Sequence, residues 1–153
     1  VVTDNWRHLP APARPVAVAV TAAVDAVRKG EAEALDDAVN DLAALDPAHA
    51  GLILGTTVRL LLEEGHPDGL TADDVRTALA SCVRAHPDAH PQVVLWLLAG
   101  ALGVLDEDGI PAPQPAALAR NAALLLTDLL AGRDPRVWLT AALTEIQHTQ
   151  LND

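Results

Sequence analysis

Tyrosine, phenylalanine and methionine are all missing from this 153-residue chain, and three tryptophans, Trp6, Trp96 and Trp138, are its only aromatics. Without rows of aromatic rings there is no platform on which nucleic-acid bases stack. Basic charge is equally scarce: Lys29 is the only lysine, and 10 basic residues face 21 acidic ones for a formal charge of −11. Such a chain lacks the basic patch whose counterion release drives most binding to DNA or RNA, and it carries no basic amphipathic stripe for an anionic membrane. Neither nucleic acid nor a membrane is an expected partner. No apolar run approaches the length of about 18 residues that a spanning helix needs. Cys82 is the only cysteine, so no internal disulfide forms, and the stretch from Pro15 to Val24 lacks the cleavage pattern of a secretory leader. The expected compartment is the cytoplasm. The surplus of Ala, Leu, Val and Arg over Lys matches the usage of a high-GC bacterial genome.

Half of the residues are hydrophobic and 20% are charged, which excludes a disordered polymer and predicts one globular domain across 1–153, frayed at both ends. Proline and glycine cut the chain into Ala- and Leu-rich segments of helical length, and strand signals are nearly absent. Val16, Val18 and Val20 alternate as in a strand, but the Ala-rich sequence beyond them restores a helix from about Pro12 to Lys29, closed by Gly30. A second helix is expected over Glu31–Leu45, and a third from Asp46-Pro47 to Gly65. His66-Pro67-Asp68-Gly69 reads as a turn. Thr71 and Asp74 form a capping box that opens a fourth helix running to about His86. The fifth, opened by Pro91 and running to Leu105, is apolar on every side and is expected to be the buried centre, with Trp96 enclosed and Trp6 more exposed. The proline-rich stretch from Asp106 to Pro115 is a loop. A sixth helix from Pro115 to Ala131 and a seventh from Asp134-Pro135 complete an all-α bundle of six or seven helices. The punctuation of 47–86 resembles that of 115–149, which suggests two helical hairpins, either duplicated or stacked in the manner of HEAT repeats.

Catalytic signatures are missing. Ser81 and Cys82 are the only candidate nucleophiles of their kinds, and neither stands in a glycine-rich elbow. Ser81 is expected to bond back to the carbonyl four residues earlier. Cys82, His86 and His90 stand four apart, a spacing that could align zinc ligands on one helix face, but Pro87 and Pro91 break the helix and Cys82 falls on its apolar stripe. No metal and no cofactor are expected. The carboxylate pairs Asp36-Asp37, Glu63-Glu64 and Asp73-Asp74 read as solvated, and Asp106-Glu107-Asp108-Gly109 lacks the later Glu of a calcium loop.

One feature is not explained by folding alone. Glu33, Asp37 and Asp41 repeat at i, i+4 with no basic residue between Glu31 and Leu45, although like charges at that spacing weaken a helix by about 0.2–0.5 kcal/mol per pair. Gly51-x3-Gly55 and Gly100-x2-Gly103 either let two helices approach closely or line a cavity. The acidic repeat points to a non-catalytic interaction or regulatory module whose acidic face meets a protein partner, which charge complementarity would make a basic one, or a second copy of the chain. The alternative reading is a binder of a small apolar ligand in a cavity near Trp96 and Gly100, since helical bundles often place ligands between helices. An enzyme without a recognisable motif is the third reading.

Overall fold

The computed structural model describes residues 13–104 and 112–152, with side chains described to residue 149. The protein is all-α. Seven helices follow one another among the described residues: α1 (Ala13–Lys29), α2 (Ala32–Ala43), α3 (Pro47–Gly65), α4 (Ala72–Ala85), α5 (Pro91–Ala101), α6 (Pro115–Leu130) and α7 (Pro135–Asn152). Trp6 and the loop residues Asp106, Glu107, Asp108 and Gly109 lie outside the described residues.

Local chemistry sets the helix ends. Gly30, at φ +69°, closes α1 while the Glu31 N–H reaches back to the Ala26 carbonyl. The capping box at α4 forms as its residues imply, with Asp74 N donating to Thr71 Oγ1 at 3.2 Å and Thr71 N donating to Asp74 Oδ2 at 2.9 Å. Because Asp74 accepts that backbone bond, its carboxyl is held below the usual range. Helix α5 stops short of the expected Leu105. Gly103 takes φ +73°, and the N–H groups of Gly103 and Val104 cap the carbonyls of Gly100 and Ala99 in a Schellman motif.

The expectation that α5 is the centre is not met. Only Val93, Val94 and Leu98 of α5 are buried, Trp96 is half-buried, and Leu95 is exposed. The centre is α6, which packs against α1, α2, α3, α4 and α5. Its buried set, Ala119, Asn121, Ala122, Ala123, Leu124, Leu125, Leu126 and Leu130, runs around the helix. The physical reason is shape. Alanine faces let neighbouring helices come close, while leucines fill the spaces between them, so surrounding α6 on many sides leaves few voids. The expected hairpins also fail to form: α3 packs chiefly on α7 and α5, and α4 on α6 and α5.

Polar groups hold both ends of α6. Buried Asn121 accepts the His90 N–H at 2.7 Å and donates to the Ala117 carbonyl at 2.8 Å, pinning the start of α5 to α6. At the other end the Arg133 guanidinium donates to the carbonyls of Leu130 and Leu129 and to Glu64 on α3, and it lies 5.0 Å above the Trp138 ring of α7. The helix terminates at Ala131 in the left-handed region, at φ +51°. A residue with a Cβ costs about 1–2 kcal/mol there. Ala131→Gly is therefore expected to stabilise the protein by about 1 kcal/mol, read as a higher urea midpoint at unchanged slope.

Candidate functional site

The surplus apolar surface of α5 faces a cavity. Trp96, Leu97, Gly100 and Ala101 form one wall of a space of about 490 Å³. Leu42 and Leu45, from the end of α2 and just beyond it, face it across the N-terminal half of α3, where Gly51, Leu54 and Gly55 contribute. Pro115, Leu118 and Ala119 at the start of α6 close another side. Every lining side chain is apolar or glycine except for the indole N–H of Trp96. Trp96 and Gly100, the two residues singled out in the sequence as cavity candidates, both stand on this wall.

A second cleft of about 520 Å³ lies on the other side of the α3–α5 crossing and shares Gly51, Gly55, Gly100 and Ala101 with the first. The helices meet where a Cβ on Gly55 would stand 4.0 Å from the Ala101 Cα, whereas a Cβ on Gly51 would meet open space. The second cleft differs in chemistry. Thr56, Arg59, Glu145 and Thr149 line it along with apolar groups. Arg59 bridges two carboxylates, with Nη1 3.1 Å from Glu63 Oε1 and Nη2 2.8 Å from Glu145 Oε2. Glu145 raises the guanidinium pKa above its ordinary value, chiefly by this contact. Glu145 Oε2 itself is enclosed, with the Arg59 guanidinium as its ion-pair partner. Sequence reasoning missed Arg59 and Glu145 because 86 positions separate them and neither belongs to a local motif.

A third cleft, between α1 and the α6–α7 turn, is polar, but its charges are already engaged: Lys29 with Asp25, Arg136 with Asp134, and Arg28 with the Arg133 carbonyl. Both Asp134, held low by Arg136, and Lys29, raised by Asp25, show the mutual stabilisation.

The acidic stripe of α2 is solvent-facing. Glu33, Asp37 and Asp41 are exposed, and among the described residues none has an ion-pair partner; it is neighbouring Asp36 that pairs with Arg120 of α6. The suggested metal ligands are distributed differently. Cys82 is fully buried on α4, His86 caps the end of that helix, and exposed His90 precedes α5. Among the described residues no group of three or more His, Cys, Asp or Glu side chains converges. Burial, reinforced by the Asp128 carboxylate, pushes the Cys82 thiol up to about 11. Ser81 does not bond back along its helix, because its hydroxyl donates to Asp128 Oδ2 on α6 at 2.8 Å. The polar partner across the interface wins over the local carbonyl. No described helix is long and apolar enough to cross a membrane. Comparison with models of known protein families, with curated proteins and with solved structures finds no match.

Two outcomes are expected from these environments. A thiol whose pKa is higher in the folded than in the unfolded chain stabilises the fold fully below the unfolded value of 9.0, and that contribution is lost as pH rises toward about 11. With no tyrosine and one lysine in the chain, little else titrates in this window. Stability measured by urea unfolding should fall by up to about 2 kcal/mol between these pH values, and Cys82→Ala should flatten the profile. On α2, Asp37→Lys removes two i, i+4 repulsions and is expected to stabilise the monomer by up to about 1 kcal/mol in the same assay.

Proposed function

We propose that this protein is a binding module that holds a small, predominantly apolar ligand in the cavity beside Trp96. The observation that carries the reading is where the hydrophobicity of α5 goes. The most apolar helix of the chain sits at the edge of the bundle, and much of its surface lines a concave space instead of the core. The volume falls in the range of about 300–1,000 Å³ common to small-molecule sites, and the space lies between helices, a usual place for one in a bundle. Among the described lining residues Trp96 alone has a side chain that carries a hydrogen-bond donor, and so apolar a lining suits a ligand held mainly by burial. Neither Ser81 nor Cys82 supplies an activated nucleophile, so the reading involves no reaction: Ser81 is committed to Asp128 and the Cys82 thiol is buried and neutral.

A second reading, docking of a basic protein partner on α2, draws on one observation. Among the described residues no cation pairs with the exposed Glu33–Asp37–Asp41 stripe, and its field can steer an oppositely charged surface. The two readings use different faces and are compatible in one molecule.

The test of the cavity uses Gly51. Leucine there replaces a mid-helix glycine, which favours the helix by up to about 1 kcal/mol, and projects into the space shared by both clefts without meeting backbone. Nile red titrated into the native protein is expected to bind with a fluorescence gain, and Gly51→Leu to weaken that binding by about tenfold or more while the fold remains at least as stable. Equal binding to the variant would overturn the proposal.

A further inference from the structure

The polar cleft on the far side of the α3–α5 crossing holds a group that the fold leaves unused. Thr21, Thr57, Thr77, Thr127 and Thr144 each donate their hydroxyl to the carbonyl four residues earlier, a usual way for a helical threonine to satisfy itself. Thr56 does not. Only 9% of this residue is exposed, and its hydroxyl has no hydrogen-bond partner among the described residues. A buried hydroxyl left unpaired costs stability, so Thr56 calls for a partner from outside the chain. Its oxygen is not sealed in the core, and Thr56 lines the cleft of about 520 Å³ together with Arg59, Glu145 and Thr149. We infer that this cleft is a second binding site, independent of the cavity beside Trp96, and that it takes an uncharged polyol of monosaccharide size.

Charge and hydrogen-bonding capacity select that class. Arg59 and Glu145 are the only charged residues of the lining, and they are paired with each other at 2.8 Å, so the lining is neutral. A cationic ligand would have to compete with Arg59 for Glu145, and an anionic one with Glu145 and Glu63 for Arg59. A hydroxyl group displaces neither. It carries one donor and two acceptor lone pairs, which lets it donate to the carboxylate and accept from the guanidinium of an intact ion pair, and hydrogen bonds to charged groups are the stronger ones. A neighbouring hydroxyl on the same ligand complements Thr56, which can both donate and accept, and exposed Thr149 offers one more. The rest of the lining is glycine or apolar, Leu52 and Ile146 among it, and suits the C–H face of such a molecule. The volume lies within the range of about 300–1,000 Å³ common to small-molecule sites.

The experiment titrates D-glucose, myo-inositol and xylitol at pH 6.5 and follows them by saturation-transfer NMR, with D-glucosamine and D-glucuronate as charged counterparts of glucose. At least one of the three neutral polyols is expected to bind in the millimolar range or tighter, and each charged sugar about tenfold more weakly than the best of them. Thr56→Val, which keeps the side-chain shape and removes the hydroxyl, is expected to weaken that binding by about tenfold, whereas Thr56→Ser retains it. The urea midpoint of Thr56→Val should be no lower than that of the native protein, because the lost hydroxyl has no partner in the fold. Both variants are expected to bind Nile red as the native protein does, which shows the fold and the Trp96 cavity to be intact. Absence of binding by all three polyols, tighter binding of either charged sugar, or equal polyol binding by native protein and Thr56→Val would overturn the inference and leave the Trp96 reading standing. Conversely, polyol binding that depends on Thr56 upholds it even where Nile red does not bind.

Discussion

The fold depends on surrounding one Ala- and Leu-rich helix with five others. A helix buried on many sides must satisfy its backbone ends without water and let its neighbours approach closely. Helix α6 meets the second condition with alanines at 119, 122 and 123, and at its C-terminal end Arg133 meets the first by donating to the carbonyls of Leu129 and Leu130. Two polar residues also tie the helix to its neighbours. Asn121 receives the N–H of His90, the residue just before α5, and Arg133 joins α6 to Glu64 of α3 and to Trp138 of α7. An otherwise featureless apolar helix thereby acquires directional contacts that set how its neighbours are placed.

The position of α5 follows from that arrangement. With α6 taking the centre, α5 fully buries only Val93, Val94 and Leu98, Leu97 and Ala101 pack partly against the core, and the apolar surface left over faces something else. Some face solvent, as Leu95 does, while Trp96, Leu97, Gly100 and Ala101 face the cavity. Gly55 meets the Ala101 backbone across the α3–α5 crossing, and the space beside Gly51 stays open. Packing and the candidate site therefore share one origin, and the cost of leaving apolar surface uncovered is what a bound hydrocarbon would offset.

Electrostatics divides the molecule in a second way. Most of its few cations are engaged near helix junctions: Arg133 and Arg28 around the α6–α7 turn, Arg120 with Asp36, and Arg59 between Glu63 and Glu145. Among the described residues that leaves the outer stripe of α2 without an ion-pair partner. Exposed pairs contribute little to stability, so their placement matters more for where negative potential remains than for the strength of the fold.

By itself the sequence determined the helices and most of their ends. Proline at 47, 91, 115 and 135, the Thr71–Asp74 box and Gly30 act within a few residues of one another, and such signals do not depend on the rest of the chain. Gly103 was also visible, but its left-handed cap ended α5 before the apolar run did. Trp96 and Gly100 were visible as cavity candidates, but a small residue on an apolar helix permits either close packing or open space, and the neighbouring helices decide which. Which helix occupies the centre was decided only in three dimensions. Hydrophobicity pointed to α5, whereas the choice of α6 turns on the shapes of five neighbours. The same holds for Ser81 meeting Asp128 and for Arg59 meeting Glu145, pairings between distant positions that no local spacing encodes. Local rules act through the backbone of one helix. The tertiary structure decides which side chains from different helices share a space, and the candidate site lies at such a junction.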